Sequence, residues 1–207
     1  MAVKRRSVKL AAHLEKIKDE IIALQPVYTD TGNATRILLR EGERMDLRGL
    51  RSVLMALARI YAVDLTAQRK STETRLKRHG VMPFYLGNDR VFIPLKMRKA
   101  LAPKDMVYGY VDVRFMGEVA AYGERSCLVP LPGARQIEVL SKRSTVLQCQ
   151  HMGLRLREML QSEKSTDSGE KIFVEAGIYL HRTIKGIERR LEHIEEAITD
   201  HEDKEEE

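Results

Sequence analysis

The side chains with the clearest chemical potential are cationic and clustered: Arg69-Lys70, Arg75-Lys77-Arg78-His79, Lys96-Arg98-Lys99 and Lys142-Arg143. Each cluster falls near a turn signal or an element end, where long cationic side chains can reach phosphate oxygens. Read as extended, Thr72 to His79 places Arg75, Lys77 and His79 on one face, a spacing suited to tracking a nucleic-acid backbone or entering a narrow groove. Arg69, Lys70, Arg75, Lys77, Arg78, Lys96, Arg98 and Lys99 are therefore the candidate nucleic-acid contacts. A solvated charged surface is the competing reading. Charge balance favours a polyanion: Met1 to Leu160 carries 29 Lys/Arg against 16 Asp/Glu, whereas Gln161 to Glu207 carries 7 against 14, so a basic body bears an acidic tail.

Catalytic and metal-binding patterns are weaker. The sequence has no Gly-x-Ser-x-Gly, no Gly-x-x-x-x-Gly-Lys, no Gly-x-Gly-x-x-Gly and no His-Glu-x-x-His. Its histidines show no ligand-like spacing with cysteine or carboxylates, and Cys127 and Cys149 lack the second Cys-x-x-Cys arm of a zinc site. Cys149 with His151 would be a nucleophile and base, but neighbours at i and i+2 on a helix point to different faces. The expectation is a non-enzyme with no cofactor and no metal. The most apolar stretch, Ser52 to Leu65, is interrupted by Arg59 and Asp64, so no membrane span is expected, and the basic start Met1 to Arg6 leads into a segment too short and too soon charged for a signal peptide. Reduced thiols in a cytoplasmic protein follow as the plain expectation.

The elements that must position these residues begin with Leu10, Leu14, Ile17, Ile21 and Leu24, whose spacing predicts a basic amphipathic helix over 1–25 ending before Pro26. Gly32-Asn33 and Glu41-Gly42-Glu43 flank Thr35 to Leu39 as a strand or hairpin. Leu50, Leu54, Leu57 and Tyr61 predict one helix from Arg48 to about Lys70, with Ala62-Val63-Asp64-Leu65 continuing it, so a helix-turn-helix over Arg48 to Arg78 is weakly supported. Gly87-Asn88-Asp89 is a hairpin turn between Val81–Leu86 and Arg90–Leu95. Further strands at Val107–Val113, Cys127–Leu131 and Gln136–Leu140 complete the sheet, and Ser141 or Ser144 caps a helix carrying Val146, Cys149, Leu156 and Leu160. The fold class is α+β: a mostly antiparallel sheet with flanking helices, an α+β body over 26–161, and a helical appendage over 162–207.

In that appendage Leu180, Ile184, Ile187, Leu191, Ile194 and Ile198 step at heptad spacing after the polar linker Ser162 to Gly169. A lone helix cannot bury this stripe, so it predicts self-association into a homo-oligomer, folding back on the body, or a protein partner.

The order Ile21-Ile22-Ala23-Leu24-Gln25-Pro26, Arg59-Ile60-Tyr61, Arg69-Lys70, Val91-Phe92-Ile93-Pro94, Val107 to Val113 and a closing helix with Gln148 or Gln150 and Arg155-Leu156 resembles the competence transcription factors of Gram-positive bacteria. The likeness covers about Ile21 to Leu160. It departs at Leu57-Ala58, where the family has Ser-Cys, and at Val63-Asp64-Leu65, where it has Gly-Ser-Ser. The resemblance implies an activator that binds AT-rich promoter DNA through the minor groove as a dimer or tetramer, with Arg69 and Lys70 carried over as DNA contacts. Locally, Asn88 to Leu101 also looks like the core of swapped-hairpin transition-state regulators, which are double-stranded DNA binders of a different fold. The remaining alternative is a protein-interaction adaptor acting through the Leu180–Ile198 helix.

Overall fold

Ile21-Ile22-Ala23-Leu24 and Val91-Phe92-Ile93 are apolar at every consecutive position, and a strand with one wet face would alternate; both must be covered on two sides. In the computed structural model, which describes residues 14–87, 89–163 and 183–185, that is their situation. They lie in β1 (Ile21–Thr29) and β5 (Arg90–Lys96) of a six-stranded sheet completed by β2 (Gly32–Leu39), β3 (Glu43–Asp46), β4 (Phe84–Leu86) and β6 (Tyr108–Asp112), in the order β3-β2-β1-β6-β5-β4. Short β7 (Ala120–Ala121), β8 (Cys127–Leu131) and β9 (Arg135–Val139) form a separate sheet. Every described pairing is antiparallel, and with the helices this makes the fold α+β.

One face of the large sheet, with Ile21, Leu24, Ile37 and Phe92, packs on Leu14 of a helical turn at 14–17 and on Leu50, Val53 and Leu57 of α1 (Leu50–Ile60). The other, with Ile22, Ala23, Val91 and Ile93, packs on Val129 and Ile137 of the small sheet and on Val146, Leu156 and Leu160 of helix α3 at 143–163. Gly153 lets α3 approach: a Cβ there would collide with Ile93 Cγ2. Both prolines of the large sheet sit where a neighbouring strand gives out. β6 pairs only with Ala23 and Leu24 of β1, short of Pro26, and β4 reaches only Phe92 of β5, short of Pro94, so neither missing N–H breaks a ladder on that side.

Several sequence expectations are corrected. The helix over 1–25 ends early, because Ile21 to Leu24 are strand, their helical spacing coinciding with burial on both faces of β1; residues 1–13 lie outside the described residues. The single helix from Arg48 to Lys70 is two, α1 and α2 (Leu65–Leu76), since Ala62 turns left-handed at φ 52° and Asp64 recaps the chain. Thr72 to His79 is not extended: α2 runs to Leu76. The strands form two sheets rather than one. The first turn of α3 closes on the Lys142 carbonyl, through Thr145 and Val146. β5 is paired on both edges within the chain, by β4 and β6.

The chain divides into two units, Met1–Gln161 and Ser162–Glu207. In the second, Ile184 lies in a helical turn at 183–185 and is 51 % exposed; Leu180, Ile187, Leu191, Ile194 and Ile198 lie outside the described residues.

A buried ionic network ties the sheet to its helices. Arg90, 7 % exposed, donates Nη1 to the Lys18 carbonyl at 2.9 Å and to the Tyr61 hydroxyl at 2.7 Å, and Nη2 to the Ile21 carbonyl at 2.6 Å. Its Nε lies 3.5 Å from Asp112, which is fully buried and also holds Arg114 at 2.8 Å. Removing the shared carboxylate would leave the buried Arg90 with only the exposed Asp19 at 3.7 Å and Arg114 with only Asp89 at 2.6 Å. Asp112→Ala is expected to cost about 3–5 kcal/mol in urea unfolding. With Arg90→Met added, the double variant should lose less than the sum of the singles, because the two groups interact directly; strict additivity would show that they do not support each other.

The same network contains a proton-linked element. Burial, aided by the hydrogen bond to Asp19, raises the Tyr61 phenol from 10.0 to about 12. The unfolded phenol ionises first, so the stability it contributes is present below pH 10 and is lost as the pH climbs toward 12. Tyr61→Phe should show a shallower alkaline decline in melting temperature over that interval; an unchanged decline would assign the loss to other groups.

Candidate nucleic-acid interface

The α2 helix presents Arg69 and Lys70, and it is fixed at three points. At its start the Asp64 carboxylate accepts from the Thr66 and Ala67 amides at 2.8 and 3.1 Å, satisfying donors that a helix leaves open. At its end Lys77 adopts φ 49°, and the Arg78 N–H closes on the Glu73 carbonyl at 3.2 Å. Between them Gln68, 6 % exposed, acts as a substitute strand: its Nε2 donates to the Tyr85 carbonyl and its Oε1 accepts the Tyr85 N–H, both at 2.9 Å. The outer backbone groups of edge strand β4 are thereby satisfied by one side chain. With Gln68 turned inward, Arg69 and Lys70 are left exposed beside the sheet edge.

The chain then passes Gly80, whose φ of 117° suits glycine, and returns through Val81 to Pro83 into β4. This loop separates two clefts that share Gly80 and Val81. The larger, about 470 Å³, is lined by Arg51 and Arg69 above Leu54, Leu65, Phe84 and Tyr110. The smaller, about 230 Å³, is lined by Arg78, His79 and Lys96 with Tyr108, Cys149 and Met152. Neither lining contains a carboxylate, so the loop is flanked on both sides by cations.

The structure sorts the sequence candidates. Arg69, Arg78 and Lys96 line the paired clefts; Lys70 and Lys77 are exposed on the same segment as Arg69 and Arg78. Arg69 also meets Glu73 through Nε at 3.0 Å. Arg75 is half-buried, its Nε donating to Ser71 Oγ at 3.1 Å, and no longer alternates with Lys77 and His79 along a strand. Arg98 is turned away from this surface: its guanidinium stacks 3.9 Å over the Tyr28 ring and donates to Asn33 and to the Met106 carbonyl. Lys99 is exposed on the loop anchored by Asp105, whose carboxyl is held well below the usual carboxylate range by hydrogen bonds from Tyr28, Asn33 and the Ala102 and Leu101 amides. Arg143 donates to the Val119 carbonyl at 2.7 Å. Arg51 was missed by the sequence reading, because a lone arginine in the first turn of a helix has no cluster to mark it; only the fold brings it opposite Arg69.

Burial pushes the Cys149 thiol up, against a smaller pull from Arg78, which favours the protonated form, while His151 is exposed. No group of three or more metal-ligating side chains occurs among the described residues, and no described helix is long and apolar enough to cross a membrane. Fold and surface thus define an α+β domain with a sheet covered on both faces and a cationic rim beside its β4 edge. No protein-family model, curated protein or solved structure matches the chain.

Gln68→Ala should orphan the Tyr85 amide and carbonyl and destabilise the domain by roughly 2–4 kcal/mol, since each abandoned group costs about 1–3 kcal/mol unless water reaches it. Hydrogen exchange should quicken at the Tyr85 amide first. Unchanged protection there would rule out the side chain as that strand's edge partner.

Proposed function

We propose that this protein is a double-stranded DNA-binding transcriptional regulator that meets phosphates through the cationic rim around the Arg78–Pro83 loop. The observation that carries this reading is the pair of adjacent clefts whose linings hold Arg51, Arg69, Arg78 and Lys96 and no carboxylate. A mainly cationic surface on a body with 29 Lys/Arg and 16 Asp/Glu attracts a polyanion and steers its approach. The resemblance to competence transcription factors supports the same reading and adds the expectation of AT-rich sites read through the minor groove by a homo-oligomer. Arg69 and Lys70, carried over from that resemblance, lie on this rim or next to it.

Duplex binding followed by fluorescence anisotropy is the direct test. If about six phosphates are neutralised, affinity should fall roughly a thousandfold between about 50 and about 200 mM salt. Arg51→Gln and Arg69→Gln should each weaken binding across sequences and lower the salt slope by about one unit. Arg98→Gln should leave that slope in place, because its guanidinium is engaged with Tyr28 and Asn33. A flat salt response would remove nucleic acid as the partner. Displacement from AT-rich DNA by netropsin, and not by a major-groove blocker, is expected for minor-groove reading.

A further inference from the structure

The larger cleft has a floor that a phosphate backbone would not use. Leu54 and Phe84 are each 8 % exposed at its base, and Val81, 46 % exposed, stands at its rim. Its volume of about 470 Å³ falls in the range of small-molecule sites, about 300–1,000 Å³, whose walls are mainly apolar with a few converging polar groups. Duplex DNA is too broad to enter such a hollow and can touch only the arginines at its edge.

The polar groups that converge here are of one kind. Arg51, from α1, has no ion-pair partner among the described residues. Arg69, from α2, engages Glu73 through Nε, leaving its terminal nitrogens for a ligand. Between the helices lies Tyr110, 8 % exposed, which packs edge-on against Phe84 with ring centres 4.9 Å apart. Its hydroxyl has no hydrogen-bond partner among the described residues, yet it feels the Arg69 charge. An unpartnered hydroxyl lining the same cleft as two guanidinium groups fits an incoming oxyanion, since Arg pairs with carboxylate through parallel hydrogen bonds. A neutral apolar guest would shield both cations from water and give nothing in return.

We propose that this cleft binds a small carboxylate with an apolar body, its head held by Arg51, Arg69 and the Tyr110 hydroxyl and its tail laid on Leu54, Phe84 and Val81. Because Arg51 and Arg69 also belong to the cationic rim, the bound carboxylate weakens DNA binding; that regulatory half rests on the DNA reading above, and the binding half does not.

Decanoate, below its micelle concentration, is the probe, titrated calorimetrically into the full chain at low salt without DNA. Saturable binding at one site is expected, with decylamine and decanol weaker by about tenfold, the worth of a charge-assisted hydrogen bond. Arg51→Gln and Arg69→Gln should each weaken decanoate by a similar factor, Tyr110→Phe by less, and Arg125→Gln, exposed elsewhere, not at all. Circular dichroism of each variant checks that the fold is kept. No saturable binding, equal binding of decylamine, or indifference to both arginine substitutions would overturn the site. A second arm follows a labelled AT-rich duplex with and without decanoate. Binding of decanoate without binding of duplex would leave the cleft standing and sink the DNA reading. Binding of duplex but not of decanoate would do the reverse, and binding of both without competition would remove the regulatory half alone.

Discussion

The guanidinium of Arg90 holds together parts of the chain that nothing local would join. It accepts no alternative geometry easily: its terminal nitrogens donate to the Lys18 and Ile21 carbonyls and the Tyr61 hydroxyl, and its Nε lies in ion-pair range of the Asp112 carboxylate. Those groups belong to the turn before β1, to β1 itself, to the end of α1 and to the end of β6. Fixing the end of α1 fixes where Ala62 reverses and Asp64 recaps, hence where α2 begins. The start of α2 in turn places Gln68 against Tyr85 and Arg69 against the cleft. A polar cluster in the interior thus sets the position of a charged surface some distance along the chain, and it does so through directional bonds that fit one arrangement only.

The basic residues divide according to what they touch. Arg90 and Arg114 face carboxylates in or near the core, whereas Arg98 and Arg135 donate mainly to neutral groups, Arg135 to the Leu39, Arg40 and Gly42 carbonyls. The latter keep their charge in the field of the body while their hydrogen bonds are committed to structure. On the proposed DNA reading, long-range attraction and direct contact are therefore carried by different side chains. The first is a property of the whole sequence up to Leu160, and the second narrows to the rim around Gly80.

Legibility from sequence followed the same division. Hairpins announced themselves, because Gly87 at φ 68° and Gly32 at φ 110° are turn chemistry that any context preserves. The strands β5, β6, β8 and β9 were readable as apolar runs between such turns, and so was the α+β class. Helical spacing misled where burial came from two layers: Ile21 and Leu24 are four and three residues from their neighbours in the stripe, yet they serve one face of β1 while Ile22 and Ala23 serve the other. The break after α1 was hidden because alanine seldom adopts a left-handed conformation; Asp64 before Leu65-Thr66 was the available sign. At the site, Arg69, Arg78 and Lys96 were visible as members of clusters. Arg51 and Tyr110 were not, since only the fold brings them into one cleft from distant stretches of chain.

The Gln68 amide leaves the large sheet with unequal ends. At β4 the outward hydrogen-bonding positions of Tyr85 are already occupied, whereas β3 has β2 on one side and, among the described residues, no strand on the other. A sheet that could extend at both ends can pass strands from copy to copy without limit, as fibres do. One that can extend at a single end stops after one addition, and two identical copies meeting there close on a twofold axis. Were copies to pair through this sheet, the plugged edge would act as a chain terminator and direct the pairing to the end opposite the cationic rim.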